Sequence, residues 1–135
     1  MTIARHLFAL LMASLWGTIS LAQTPHACSA AFVGDKMVVD QYTPEGKCTL
    51  ATSATGELTV QTVELSATSS RAVEPIDFKV AIRDKATGTL RLFADKSFRR
   101  VPVQQVLAQC TKGDRIVLLT LDARYALPHN EIFIR

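Results

Sequence analysis

Three cysteines, Cys28, Cys48 and Cys110, are the residues of this chain best suited to covalent chemistry. In an oxidising compartment an odd count allows one internal bridge and leaves one spare thiol. Cys28 to Cys48 closes the shortest loop, which favours that disulfide. A simple three-strand meander would set those two cysteines two strands apart, about 10 Å, beyond bridging reach, so Cys110 stays open as the alternative partner. As a nucleophile Cys110 would need His129 as its base. No Gly-rich elbow surrounds it, and it closes an expected helix, where the dipole disfavours a thiolate. Its place on an apolar stripe reads more simply as a small buried hydrophobe. The chain has no Cys-x-x-Cys pair for disulfide exchange. His26-Ala27-Cys28 offers two metal ligands with no cluster nearby to supply a third and fourth. The expectation is no catalytic constellation, no metal site and no cofactor.

Charge is the next chemical signal. Residues 23–78 hold seven acids and three bases, whereas residues 79–135 hold eleven bases and five acids. The densest stretch, Lys79 to Arg100, has seven bases and two acids. Strand alternation places Lys79, Arg83 and Arg91 on one outward side, with Arg99 and Arg100 following. A hairpin at Gly88 would set Arg83 beside Arg91, and paired like charges repel unless solvent or an anion screens them. These five residues are the candidate partner-binding face, for an envelope protein with an acidic surface or another anionic surface. Solvated outer strand positions explain the same pattern without a partner. Trp16 is the only tryptophan and precedes the expected mature chain, which disfavours a stacking platform for sugars or bases. Nucleic acid is not an expected partner.

These residues must be positioned by strands. Ile76, Phe78, Val80 and Ile82 alternate with polar or small residues, giving a strand with one buried face. Asp84-Lys85-Ala86-Thr87-Gly88 reads as a hairpin loop with Gly88 at positive φ, before Thr89–Phe93. Lys36–Tyr42 and Lys47–Ser53 flank Thr43-Pro44-Glu45-Gly46 and suggest a second hairpin. In Glu57–Leu65 the apolar phase changes between Val60 and Val63, so a bulge is expected at Gln61-Thr62. Ser66–Pro75 has a surface-loop composition. Pro102 begins the one helix signal, with Val103, Val106, Leu107 and Cys110 on a single face. Arg115–Leu121 is apolar at both phases and reads as a central strand covered on both sides. Phe93 and Phe98 would close the second side of the core. Tyr125–Asn130 is a Pro-containing turn that gathers Tyr, His and Asn. Glu131–Arg135 is a short closing strand. The fold class is mainly β, a small antiparallel sandwich or barrel with one short helix near residues 102–111.

The N-terminus sets the compartment. Arg5 and His6 precede a 15-residue apolar run, Leu7 to Leu21, and Ser20-Leu21-Ala22 offers the small-residue pattern of a cleavage site. The run is short for a membrane span. The expected division is a cleaved signal peptide at 1–22, a flexible arm at 23–27, and one domain at 28–135. No segment after cleavage is apolar enough to span a bilayer. The expected product is an exported periplasmic or extracellular module whose work is non-catalytic binding or structure. An enzyme or enzyme inhibitor with a site assembled from loops is the alternative.

Overall fold

The computed structural model describes residues 27–66 and 70–135. The expected signal peptide and most of the arm lie outside the described residues. Ala27, assigned to that arm, is already in a strand, paired with Tyr125.

The described residues are mainly β, two facing sheets with one short helix, and do not form a closed barrel. The first sheet contains β1 (Ala27–Val33), β2 (Lys36–Met37), β4 (Glu57–Leu65), β5 (Ser70–Ile76), β8 (Val101–Pro102) and β10 (Tyr125–Ala126). Its path is β10-β1-β4-β5, with β2 on β1 and β8 on β4. The second sheet contains β3 (Thr49–Leu50), β6 (Phe78–Arg83), β7 (Leu90–Leu92), β9 (Arg115–Thr120) and β11 (Glu131–Ile134), ordered β3-β11-β9-β6-β7. Most pairings are antiparallel; β1–β10 and β3–β11 are parallel.

The main core lies between the sheets. Leu58 and Val60 from the first meet Phe78, Val80, Ile116, Leu118, Ile132 and Ile134 from the second. Ile76, Phe78, Val80 and Ile82 are all buried, as their alternation implies. They do not form one strand, however. The chain breaks at Asp77 and passes from β5 in one sheet to β6 in the other. The Arg99 guanidinium fixes this corner, donating to the Pro75 carbonyl at 2.8 Å and pairing with Asp77 at 3.3 Å.

Three other expectations change. Residues 70–76 are an exposed edge strand instead of a loop. Their polar character and Pro75 suit an edge, where a free backbone must not recruit another chain. The phase change in β4 has a different cause from the one expected. β4 keeps unbroken register with β1, and Val63 joins a second small cluster with Ala30 and Phe32 on the sheet's other face. The irregularity does fall at Gln61/Val63, but the extra residue is on β5, where Thr62 faces both Val73 and Glu74. The Thr62 hydroxyl accepts the Glu74 N–H there at 3.3 Å. The hairpin expected around Pro44 is short: the Gly46 N–H closes the turn on the Thr43 carbonyl at 3.0 Å, the Asp40 N–H meets the Lys47 carbonyl at 2.9 Å and Val39 bridges Cys48, but the flanking β2 and β3 join different sheets.

The helix α1 is Val103–Leu107, with Val103, Val106 and Leu107 buried. Pro102 occupies its N-cap and offers no side-chain cap. The Val103 N–H is instead satisfied by the Gly56 carbonyl at 2.8 Å.

Candidate functional site

Residues opposite one another on paired strands share a face of the sheet. On the second sheet's outer side this gives one row of Leu90, Arg83, Arg115, Phe133 and Thr49. A second row is Leu92, Ala81, Val117 and Glu131, and a third is Lys79 and Leu119. Four of the seven large apolar residues exposed among the described residues lie here: Leu90, Leu92, Leu119 and Phe133. Between them stand three cations, Lys79, Arg83 and Arg115, against one carboxylate, Glu131. The second face of β9, expected to be covered, is therefore only half covered: Val117 is buried and Leu119 is 37% exposed.

Two interactions organise the cations. Arg83 Nε donates to Glu131 Oε1 at 2.8 Å, bridging the intervening β9, while its Nη1 reaches the Gly88 carbonyl at 3.3 Å. Arg115 lies directly opposite Arg83 and has its guanidinium carbon 5.8 Å from the Phe133 ring centroid. A side-by-side Arg pair does occur, as anticipated, but its second member is Arg115 and not Arg91.

The five sequence candidates separate in space. Lys79 and Arg83 are on the outer face. Arg91 pairs with Ile82 and so belongs to the opposite side. The loop closes with Asp84 N–H on the Thr89 carbonyl, which sets Arg83 against Leu90, and a one-residue offset flips every later side chain. Gly88 does have positive φ, 71°. Arg91 instead donates to the Gln109 carbonyl at 2.7 Å, just beyond α1, where a cation is favoured. Arg99 is the clasp at the Asp77 corner. Arg100 reaches Glu57 at 4.0 Å beside β8. Arg115 and Phe133 were missed as site residues because their value depends on β6–β9–β11 pairing, which no local pattern encodes.

One other hollow, of about 560 Å³, is internally neutralised; Arg99 borders it and it also contains Arg124. Its arginines are committed to Asp77 and to Asp122, the latter at 2.6 Å.

The three cysteines are free thiols, so the expected Cys28–Cys48 bridge is not formed in this structure. Cys28 packs with the Ala30/Phe32 cluster and Cys48 with the main core, against opposite faces of the first sheet. Burial pushes the Cys48 and Cys110 thiols up to about 11, with Asp40 and Asp114 respectively adding to it. Cys110 donates to the Val106 carbonyl at 3.3 Å. The His129 ring packs edge-on against Tyr42, and Cys48 meets the His129 carbonyl at 3.9 Å. Neither contact places an imidazole nitrogen on a thiol. No group of three or more His, Cys, Asp or Glu that could hold a metal occurs among the described residues. No helix among them is long and apolar enough to cross a membrane.

No protein-family model, curated protein or solved structure matches this chain.

Proposed function

We propose that this chain is an exported, non-catalytic binding module of the cell envelope that docks an acidic protein surface on the outer face of its second sheet. The observation that supports this is the composition of that face: four exposed apolar side chains interleaved with Lys79, Arg83 and Arg115 and a single acid. Apolar area supplies affinity on release of water, while a surplus of positive charge selects and steers an anionic partner. The arginines are held in place by Glu131 and Phe133, which lowers the ordering cost of docking.

The test is an NMR titration of the protein with poly-L-glutamate. Shifted amides should concentrate on β6, β7, β9 and β11, and the shifts should shrink steeply with added salt. Shifts centred on Arg99 and Arg100, or none at all, would overturn the reading. Export is checked separately: N-terminal sequencing of the native protein should begin at Gln23.

A further inference from the structure

The outer face has a hollow at its β11 side. It measures about 410 Å³ and is lined in part by Lys47, Thr49, Arg115, His129, Glu131 and Phe133. Glu131 is the only carboxylate among the described residues of the lining, and Arg83 already occupies it at 2.8 Å. Asp40, the next acid, uses Oδ1 to accept the Lys47 backbone N–H at 2.6 Å. The Lys47 ammonium and the Arg115 guanidinium have no ion pair among the described residues. The adjacent Cys48 thiol, with its pKa near 11, adds no negative charge at neutral pH. This hollow thus joins two uncommitted cations to an aromatic wall.

Resting on the docking reading above, we propose that the hollow receives one carboxylate side chain of the acidic partner, an Asp or Glu with an apolar residue beside it. Arg115, its planar guanidinium held over Phe133, meets the carboxylate with two parallel N–H donors. Lys47, also in the lining, supplies a second charge. The neighbouring apolar residue covers Phe133, which is 39% exposed. Phe133 is what points to a polypeptide: a free anion would use the cations and leave the ring wet.

The experiment is fluorescence anisotropy with a labelled peptide of repeated Leu-Glu, against counterparts in which Leu is replaced by Ser or Glu by Gln. The Leu-Glu peptide should bind best. Arg115→Gln and Lys47→Gln should each weaken it about tenfold or more, the scale of one charged hydrogen bond, with Lys79→Gln acting less. Arg115→Lys, which keeps charge but loses the paired donors, should fall between. Melting curves of each variant separate lost binding from lost folding. Inorganic phosphate should not displace the peptide, and vesicles of anionic lipid should not bind. Binding that survives both hollow variants but falls with Lys79→Gln overturns the hollow and leaves the docking face standing. Equal binding of the Ser-Glu peptide overturns the apolar neighbour on Phe133, and displacement by phosphate or retention on vesicles overturns the assignment to an acidic polypeptide segment. No binding of any acidic peptide overturns both readings.

Discussion

Arg83 and Arg115 show how a position's cost and its use can differ. Two guanidinium groups opposite one another on adjacent strands repel, and Glu131 compensates only one of them. Arg115→Gln should therefore leave the melting temperature unchanged or slightly higher while partner binding drops. Arg83→Gln strands Glu131 and should lower stability by about 0.5–1 kcal/mol. Thermal melts paired with the poly-L-glutamate titration distinguish the two. Asp114 makes the opposite case, a residue whose work is internal. It is 4% exposed, and its carboxylate accepts the Lys85 N–H, the Thr111 N–H and the Thr111 hydroxyl. Asp114→Asn turns one acceptor into a donor facing a donor, and should cost about 1–3 kcal/mol in chemical denaturation. The N–H groups of Thr111 and Lys85 hold its pKa below the ordinary aspartate value, and those of Thr87 and Ala86 do the same for Asp84. A lowered folded-state pKa gives stability that is present above the ordinary aspartate value, about 4, and is lost as pH falls through the folded one. Melting temperature should thus be level near neutrality and fall on acidification below about pH 4, less steeply in Asp114→Asn. At this scale the sequence revealed which charges exist but not their partners. Arg91, Arg99 and Arg100 carry the same chemistry as Arg83 yet serve a helix end, a corner and a strand edge.

The elements were legible wherever a single periodicity governed burial. Ile76 to Ile82 alternates cleanly, and each apolar member is buried even though the chain changes sheets at Asp77. Phe78, fully buried against Phe98 with ring centroids 6.4 Å apart, should cost about 3–5 kcal/mol on truncation to Ala. Chemical denaturation measures it, and a near-neutral result would contradict the packing. Elements with two masters were harder to read. β4 serves the main core with Leu58 and Val60 and a satellite cluster with Val63, and the bulge expected at Gln61-Thr62 falls there with its extra residue on β5. β5 is exposed for most of its length and has the composition of a loop, and only its pairing with β4 makes it a strand. The residues around Gly46 read as a hairpin turn, although the constraint there is spatial. A Cβ on Gly46 would come within 2.7 Å of Val39 Cγ2 and closer still to the Gln41 carbonyl. Gly46→Ala should cost about 1–3 kcal/mol as an overpacked site. It should also weaken peptide binding, because the loop carrying Lys47 would shift. Gly88→Ala, which meets open space and only the strain of φ 71°, should cost about 1 kcal/mol and leave binding intact.

For the molecule as a whole, composition and turn spacing were enough to give a small β fold with one late helix, but not the order of strands. That order is decided by contacts between distant segments: Thr49 with Phe133 and Ala27 with Tyr125 in parallel, and Phe78 to Arg83 with Arg115 to Thr120. Parallel neighbours need long crossovers, and no local pattern announces them. The same interleaving has a consequence for how the chain is made. β1, β4 and β5 pair with one another within residues 27–76, whereas β3 pairs only with β11 and β6 needs β9. Ile132 and Ile134, both fully buried, are among the last core side chains to arrive. A chain halted at Asn130 should lack cooperative unfolding, which circular dichroism would show. Until β11 is in place, the core between the sheets lacks Ile132 and Ile134, and nothing else on the second sheet pairs with β3.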